Sequence, residues 1–575
     1  MNGMKKKAYF IIFAPVASAI LLRLAFPKTA FYPFAFFALV PFIYLLFNLK
    51  NPKAGLLCGA IFGFTFHYAN IFWLNTIAAY NPFAIIGIFL LGVYLGLYSA
   101  VFGWGSVLLI RRNPRFSFIL LPCLWVVLEY IRNVGQLAFP WSYLAATQAG
   151  NPLFIQICDV TGVWGVSFLV ALVNVVLGRF LHRLIHGKSL SHLAADVGLT
   201  LAILLLVIWY GAWRLKGEYK GNVPIQVSIL QPNIPQKLKF ASYAGTQEER
   251  KLLPAILEST NFEMLQQLEE GSSELVILPE SAFTRPYFGL RKKLLDRLNK
   301  ESVRLGAGIL AGANREVFYN EDGELVQPGE DIKNVAAYNS AWYFQPVEHQ
   351  ERFKASDISK ATIKKPMTYD KIHLVPFGEH LPYFDLIPGF QRIIVQTGSF
   401  LEGEKFTLFP LRLSDQDTTA TTNREAESFF RFAVVICFES SFDWLLREFV
   451  RRDADFLVVI TNDGWYEDSA GPFQHNDLSI FRAIETRRWI VRCSNRGISG
   501  IISPKGVMFE KSRLNQREII NGTIYPKKIH TIYERSGNLL VVFLLLPLLP
   551  GFGSGIKSAV SRWKEKKRKK SKQRK

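Results

Sequence analysis

The sequence has few cysteines, histidines and acidic residues, and these shortages exclude several classes of protein. Its five cysteines include no Cys-x-x-Cys pair, the spacing typical of zinc and redox motifs. His373 and His475 have no second histidine or carboxylate at the spacing of a metal-ligand set. We therefore expect no metal ion and no other cofactor.

Acidic residues are outnumbered, since 46 Asp and Glu stand against 67 Lys and Arg and leave a net charge of +21. The tail from Arg562 to Lys575 holds ten Lys or Arg and one Glu, hence +9 of that total. A basic run beside an apolar segment is typical of a cytoplasmic flank that contacts anionic lipid. No zinc-finger or RNA-binding signature supports the alternative of a nucleic-acid partner. We predict a membrane partner and no nucleic acid.

Charged residues are scarcest before residue 216, where long apolar runs alternate with short basic loops. A helix of roughly 20 residues crosses the hydrocarbon core of a bilayer, which is about 30 Å thick. We predict about eight spans: Ala8–Phe26, Phe31–Phe47, Ala54–Leu74, Phe83–Ile110, Phe116–Tyr130, Val163–Leu181, Val197–Trp213 and Leu539–Phe552. The chain then divides into a membrane domain with seven helices (1–215), a water-facing domain (216–537), and an eighth helix with the basic tail (538–575).

The basic loops predict which side of the membrane the large domain occupies. Lys and Arg concentrate on the cytoplasmic side, and they cluster before the first span and after spans two, four, six and eight: Lys5, Lys6, Lys7; Lys50, Lys53; Arg111, Arg112, Arg115; Arg179, Arg183, Lys188; and the tail. Both termini are therefore predicted inside and residues 216–537 outside. In a bacterium this is a multi-pass protein of the inner membrane with a periplasmic domain.

Two polar or aromatic features stand out in the membrane domain. The segment Phe139-Pro-Trp-Ser-Tyr143 is too aromatic for a plain solvated connector, and Trp and Tyr favour the membrane–water boundary. We place it at the outer boundary, with Trp141 as a candidate substrate-positioning residue. His67 is polar at membrane depth and is predicted to line a lipid or water cavity.

The water-facing domain alternates strands and helices, and strand after strand ends in polar residues. Ile225–Gln231, Leu275–Leu278 and Phe456–Ile460 are β-branched or apolar runs that end at Pro-Asn, Pro-Glu and Thr-Asn-Asp respectively. This pattern is typical of an α/β enzyme whose site collects at strand ends.

Cys437 is the candidate nucleophile. The apolar run within Arg431–Ser441 ends at this cysteine, and Phe438, Glu439 and Ser440 follow at once. A thiol at the end of a buried strand lies at the mouth of a polar cleft. The alternative is a small core residue, since free cysteine is often buried. We assign that second interpretation to Cys493.

Glu280 and Lys371 are the strand-end residues that could activate this thiol. A thiol needs a base to take its proton, which suits Glu280, and a nearby cation favours the thiolate, which suits Lys371. Lys371 could also stabilise the oxyanion that forms when a thiolate adds to a carbonyl. Taken singly, each could be a solvated surface residue. His373 and His475 are interpreted as hydrogen-bonding scaffold.

In this chain order Glu280, Lys371 and Cys437 resemble the Glu-Lys-Cys triad of the nitrilase, or carbon–nitrogen hydrolase, superfamily. With the predicted spans, the whole chain resembles the apolipoprotein N-acyltransferase family. The most specific part is Lys371-Ile-His-Leu-Val-Pro-Phe-Gly-Glu379. The resemblance implies an αββα sandwich attached to a polytopic α-helical membrane domain.

The resemblance also implies an acyltransferase with ping-pong kinetics that completes bacterial lipoproteins. Cys437 would take the sn-1 acyl chain of a phospholipid, typically phosphatidylethanolamine, as a thioester, with Glu280 as general base and Lys371 steadying the intermediate. The acyl chain would then pass to the α-amino group of the diacylglyceryl cysteine of an apolipoprotein.

Four further residues take supporting roles from the same resemblance. Glu379 and Glu439 match carboxylates expected to position Lys371 and the substrate. Phe438 stands where the family often has Tyr, so a phenol hydroxyl is not essential at that position. Phe240 falls where many relatives have Trp, so an indole donor to the lipid is absent.

Two other functions fit parts of the sequence. A membrane-tethered amidase or nitrilase would use the same triad on a small carbon–nitrogen substrate and release the acyl group to water. A transporter would place the function in the spans. The spans, however, hold very few charges and no paired broken helices.

Overall fold

The computed structural model describes residues 2–284, 288–322, 324–327, 330, 332–346, 365–383, 400–413 and 429–550. The chain forms two compact units. The first comprises Met1–Asn75, Phe83–Leu215 and Ser536–Lys575, and the second comprises Thr76–Pro82 and Lys216–Arg535. The predicted cytoplasmic tail lies outside the described residues.

The first unit is helical. Its helices are α1 (Asn2–Leu24), α2 (Val40–Asn48), α3 (Pro52–Ile71), α4 (Ala84–Arg112), α5 (Ser117–Ile131), α6 (Pro152–Ile155), α7 (Cys158–Thr161), α8 (Val163–Ile185), α9 (Ala194–Lys216) and, after the second unit, α16 (Leu539–Leu545). Among the described residues, four helices are long and apolar enough to cross a membrane: Pro52–Ala79, Ala84–Arg112, Val163–Ile185 and Ala194–Lys216.

The other four predicted spans coincide with shorter apolar helices, so the count of eight stays a prediction. The predicted span Phe31–Phe47 shows why the helix is shorter than the apolar run. A 3₁₀ turn, Tyr32–Phe36, precedes α2, and each of the two begins with a proline in its first turn. Proline lacks the N–H that would continue the preceding helix.

Small residues let α3 and α4 approach closely. A Cβ atom on Gly59 would lie 2.2 Å from the carbonyl oxygen of Ser99, and one on Gly103 would lie 2.1 Å from that of Gly55. Gly55 and Gly59 share one helix face because they are four residues apart. This spacing is the small-xxx-small pattern that packs helices in membranes, where lipid removes the hydrophobic driving force between them.

His67 on α3 lines a cavity of the first unit together with Glu129 and Arg132 of α5, as its position predicted. Its Nε2 atom lies 3.4 Å from a guanidinium nitrogen of Arg132. The Glu129 carboxylate accepts hydrogen bonds from the Trp125 indole (2.9 Å) and the backbone N–H of Leu144 (2.8 Å). This cluster ties α5 to the aromatic segment that follows it.

The second unit contains two mixed sheets. Its strands are β1 (Ile225–Gln231), β2 (Leu275–Ile277), β3 (Gly308–Tyr319), β4 (Leu325–Val326), β5 (Asn334–Phe344), β6 (Met367–Asp370), β7 (Leu408–Arg412), β8 (Phe429–Ile436), β9 (Phe456–Thr461), β10 (Ile490–Ser494), β11 (Gly500–Ile502), β12 (Met508–Phe509) and β13 (Glu518–Ile524). The first sheet has the order β13-β1-β2-β3-β5-β6, with β4 paired to β3, and the second has the order β12-β11-β10-β9-β8-β7.

The two sheets pack directly on each other. The thiol of Cys493 on β10 donates to the carbonyl oxygens of Leu230 and Ile277, both at 3.4 Å, in the facing sheet. The rings of Tyr343 on β5 and Phe432 on β8 meet at 5.2 Å. Cys493 is therefore a core residue of this interface.

Helices cover the outer faces. They are α10 (Gln236–Ala244), α11 (Gln247–Gln266), α12 (Lys292–Leu305), α13 (Asp443–Arg451), α14 (Gly471–Thr486) and α15 (Ile532–Ser536). Phe262 and Leu265 of α11 and Leu298 of α12 form one buried cluster with Val276 and Ile309 of the first sheet. The predicted helix–sheet–sheet–helix sandwich is thus the observed architecture.

Strand direction explains why polar strand ends meet. β2 is parallel to β3 and β8 is parallel to β9, so their carboxyl ends lie at the same edges. β6 is reached from β3 through two antiparallel steps and therefore runs in the same direction as β3. Residues directly after β2, β6, β8 and β9 can consequently converge.

We expect Gly103→Ala to destabilise the first unit, because the added methyl group would meet the Gly55 carbonyl. Overpacking of this kind costs about 1–3 kcal/mol. Gly87→Ala on the same helix is the matched control, since a Cβ there has no neighbour within 4 Å. Thermal unfolding of the full-length protein in detergent measures both, and equal midpoints would contradict the close helix packing.

Candidate active site

Glu280 follows β2 in a tight turn and is 6% exposed. Its Oε1 accepts a hydrogen bond from the Asn339 side chain at 2.8 Å, and its Oε2 accepts one from the backbone N–H of Asn462 at 2.9 Å. Gly312 passes beneath this turn, where a Cβ would lie 2.6 Å from the Pro279 carbonyl oxygen. Both carboxylate oxygens are therefore held in place.

Lys371 directly follows β6 and is fully buried. Its Nζ lies 2.9 Å from the Glu379 carboxylate and 3.7 Å from Oε1 of Glu280. Burial by itself lowers the pKa of Lys371, but the charges of Glu379 and Glu280 more than offset it, and the net pKa is raised. Lys371 stays cationic at every pH near neutrality.

Cys437 ends β8 in the left-handed region, with φ of +53°. A non-glycine residue rarely adopts this backbone conformation, which costs of order 1–3 kcal/mol. Its carbonyl oxygen accepts a hydrogen bond from the Ser440 hydroxyl at 2.9 Å. The strained turn is stabilised by its surroundings and presents the thiol beyond the strand end.

The Cys437 thiol is protonated at rest. Burial raises its pKa, and the negative charge of Glu280 raises it further, while Lys371 and a hydrogen bond from Thr461 act in the opposite direction. The net pKa lies above the usual range of a thiol. A base must therefore remove the proton during reaction rather than before it.

Glu439 connects the two strand ends that carry Lys371 and Cys437. Its Oε1 accepts hydrogen bonds from the Tyr369 hydroxyl (2.8 Å) and the backbone N–H groups of Ile372 (2.7 Å) and His373 (3.0 Å). Its Oε2 accepts from the backbone N–H of Ile436 at 2.7 Å. Burial raises the pKa of Glu439 to about 7. With no exposed surface, Glu439 can orient both segments but cannot contact a substrate.

Glu379 is the more accessible carboxylate. It accepts hydrogen bonds from Asn339 (2.9 Å), Lys371 (2.9 Å) and the backbone N–H of Val375 (2.8 Å). Its side chain remains 14% exposed. Glu379 can therefore face both Lys371 and a bound molecule.

The aromatic candidates lie in different places. Phe438 is buried, with its ring 5.1 Å from that of Phe442. Phe240 on α10 contacts the ring of Tyr80 at 5.5 Å. Trp141 belongs to the first unit, where it is buried and its ring lies 5.8 Å from that of Trp73.

Asn339 is a site residue that the sequence reasoning missed. It donates to both Glu280 and Glu379 from the middle of β5, so it follows no strand end and belongs to no motif. A signal was nevertheless present, because Asn339 and Ser340 are polar residues within an otherwise apolar and aromatic strand. Both are buried.

A buried ionic network lies beneath the nucleophile. His475 contacts Asp463 through Nδ1 (2.7 Å) and the carbonyl oxygen of Cys437 through Nε2 (3.1 Å). Asp463 also accepts from Arg492 at 2.9 Å. Burial alone raises the pKa of Asp463, but His475 and Arg492 outweigh burial and bring the pKa below its usual range. Among the described residues, no group of three or more His, Cys, Asp or Glu could hold a metal ion.

Two family models match the chain. Residues 18–176 match the apolipoprotein N-acyltransferase N-terminal domain, and residues 260–533 match the carbon–nitrogen hydrolase family. An apolipoprotein N-acyltransferase from Geobacter metallireducens is 31% identical over 91% of this chain and 91% of its own length. The chain belongs to the apolipoprotein N-acyltransferase family.

Two further comparisons cover different shares of the chain. Apolipoprotein N-acyltransferase 1 of Treponema denticola is 27% identical over 95% of this chain and 97% of its own length. The crystal structure of Nit3 from Saccharomyces cerevisiae, a nitrilase-superfamily member, aligns with a TM-score of 0.31 and 16% identity over 56% of this chain and 95% of that one. Membership of the apolipoprotein N-acyltransferase family confirms the predicted acyltransferase of lipoprotein maturation and does not favour the amidase alternative. With four helices of spanning length among its described residues, this member is a membrane protein.

We expect Glu439→Gln to lower both stability and acyl transfer. All four hydrogen bonds to this carboxylate come from N–H or O–H donors. The NH₂ group of a glutamine cannot accept a hydrogen bond, so at least one of these donors would lose its partner. Hydrogen bonds to charged groups contribute about 1.5–3 kcal/mol each, and we expect a loss of about 2 kcal/mol in unfolding free energy. Chemical denaturation checks this, with Glu263→Gln, a more exposed carboxylate, as control. An unchanged denaturation midpoint for Glu439→Gln would contradict its connecting role.

Proposed function

We propose that the chain transfers the sn-1 acyl chain of a phospholipid, such as phosphatidylethanolamine, through a thioester on Cys437 to the N-terminal amine of a diacylglyceryl apolipoprotein. One observation carries this proposal. The buried carboxylate of Glu280 and the buried ammonium of Lys371 both interact with the thiol of Cys437, whose backbone is strained. Family membership supports the reaction class, and the geometry supports the assignment of the individual steps.

In the first half-reaction the Cys437 sulfur attacks the ester carbonyl carbon of the donor lipid. Because the resting thiol is protonated, Glu280 takes its proton as the C–S bond forms. The ammonium of Lys371 faces the negative charge that develops on the carbonyl oxygen, a contribution of order 10²–10³ in rate for a single donor. The C–O bond then breaks, and Glu280 returns the proton to the alcohol of the lysophospholipid.

In the second half-reaction the neutral amine of the lipopeptide attacks the thioester carbonyl. Glu280 accepts a proton from the amine, the C–S bond breaks, and Glu280 returns that proton to the Cys437 sulfur. One site and one base serve both halves, which is the structural basis for ping-pong kinetics. Transfer rather than hydrolysis requires that water be kept from the thioester.

The membrane helices give this chemistry access to its substrates. Both acyl donor and acceptor carry insoluble chains, so the thiol must be reached from a bilayer. The distribution of Lys and Arg supports cytoplasmic termini and a periplasmic catalytic domain at the inner membrane. Residues 1–215 and 538–575 are then the membrane-embedded part and residues 216–537 the catalytic part.

Incubation of the purified full-length protein with phosphatidylethanolamine should give one acyl adduct that hydroxylamine removes. Cys437→Ala should abolish both the adduct and acyl transfer, because no other thiol lies at the site. Cys493→Ala should retain most activity, because that thiol only fills the space between the sheets. Mass spectrometry of the intact protein measures the adduct directly.

Two results would count against this mechanism. An adduct that persists in Cys437→Ala would transfer the nucleophile role to another residue. Release of free fatty acid at the same rate with and without a lipopeptide acceptor would favour the hydrolase instead.

We expect Lys371→Met to slow adduct formation at least about a hundredfold, by loss of the oxyanion partner. The variant also leaves Glu280 and Glu379 facing each other without a cation, so its thermal midpoint should fall. Burst kinetics of adduct formation separate the chemical defect from the stability loss. A wild-type burst rate would exclude Lys371 from the reaction.

A further inference from the structure

Helix α10 presents a buried polar face toward the base of the site. Gln236 and Lys239 are three residues apart, which places them on the same side of a helix. Both are about 2% exposed, whereas Lys237 and Leu238 between them are exposed. A buried ammonium is costly to desolvate, by several kcal/mol for an unpaired ion. Packing alone would be satisfied by an apolar residue of similar length.

Lys239 contacts the backbone of Glu280 itself. Its Nζ donates to the Glu280 carbonyl oxygen at 3.3 Å. The titratable groups that face its charge are the Glu280 carboxylate after β2 and the Cys493 thiol on β10. Lys371 and Lys239 are thus two separate cations that both interact with Glu280.

Gln236 reaches the same carboxylate by a second route. Its Oε1 accepts a hydrogen bond from the Asn462 side chain at 2.8 Å, and the backbone N–H of Asn462 donates to Oε2 of Glu280 at 2.9 Å. One face of α10 therefore contacts the Glu280 turn directly and through Asn462.

The next residue of α10 belongs to an aromatic cluster. The ring of Phe240 contacts those of Tyr80 (5.5 Å) and Tyr243 (5.4 Å), and Tyr80 contacts Trp465 at 5.3 Å. All four residues lie in the second unit. A displacement of this cluster would move Lys239, its neighbour in the chain.

We propose that Lys239 is a positioning residue for acyl transfer, which holds the Glu280 turn through a charge-assisted hydrogen bond and so keeps the carboxylate aimed at Cys437. This inference rests on the proposed role of Glu280 as the base. It adds a function to α10, which links the aromatic cluster around Phe240 to the proton-transfer group.

The charge on Lys239 gives the inference a pH signature. Burial lowers the pKa of Lys239 to about 7, although Glu280 acts in the opposite direction. The fraction of Lys239 in the ammonium form therefore falls as the pH rises through about 7. Hydrogen bonds from a charged donor are roughly twice as strong as those from a neutral one. The hold on Glu280 should weaken as the pH rises through 7.

The test measures steady-state acyl transfer by the full-length protein from phosphatidylethanolamine vesicles to a lipopeptide acceptor at pH 6 and pH 8. We expect Lys239→Met to lower kcat about tenfold at pH 6 and only about twofold to threefold at pH 8, relative to wild type at the same pH. KM for the lipid should stay within twofold. The matched control Lys237→Met, on the exposed face of the same helix, should stay within twofold of wild type at both pH values.

Lys239→Gln keeps a neutral donor and gives an independent measurement if the Met variant does not fold. It should show a smaller rate deficit than Lys239→Met at pH 6, because a neutral donor keeps part of the hydrogen bond, and it should approach wild type at pH 8. Wild-type kcat at pH 6 in either folded variant, a deficit equal at both pH values, or an equal deficit in Lys237→Met would overturn the inference.

Glu280→Gln separates this inference from the proposed function. If Glu280→Gln still forms the adduct at the wild-type rate, the base assignment fails and the role of Lys239 fails with it. If Glu280→Gln is inactive and the Lys239 variants match wild type, only the role of Lys239 is wrong.

Discussion

The ion pairs of Lys371 with Glu280 and Glu379 are the interaction on which the candidate site of the second unit depends. A fully buried ammonium is stable only where carboxylates compensate its lost hydration, and here two do so, at 2.9 and 3.7 Å. Their oxygens are in turn held by Asn339 and by backbone N–H groups. Glu280, Lys371, Glu379 and the strand ends that carry them therefore form one interdependent structure.

The residues proposed to act in catalysis could be found in the sequence because they follow strands. Cys437 comes directly after an apolar run, Glu280 follows another such run after one proline, and Lys371 follows the short strand β6, which is not apolar. The alternation of strands and helices indicated that these ends would meet. The sandwich architecture followed from the same pattern together with the family resemblance. The sequence was less informative about the membrane spans. Prolines divide one apolar run, which has the length of a transmembrane helix, into two shorter helices.

Asn339 and Lys239 could not be predicted, for two different physical reasons. Asn339 lies inside a strand, and it belongs to the site only because it donates hydrogen bonds to two carboxylates that are 59 and 40 residues away in the chain. Lys239 lies on a short helix whose buried side is set by tertiary packing, because its sequence has no clear apolar stripe. The pairing of β1 with β13 is similar, since it joins segments separated by almost 300 residues. Such features arise from contacts between distant parts of the chain, and the neighbouring sequence contains no pattern that predicts them.

Residues Thr76–Pro82 belong to the second unit, although they lie between two long apolar helices of the first unit. Thr76 donates a hydrogen bond to the carbonyl oxygen of Trp465, and Tyr80 stacks edge-on against the Trp465 ring. An excised soluble fragment beginning near residue 216 would lack this short insertion and leave indole and phenyl surface uncovered. During biosynthesis, this connector is made before the strands of the sandwich, so the second unit is complete only when residues on both sides of the intervening helices have been brought together.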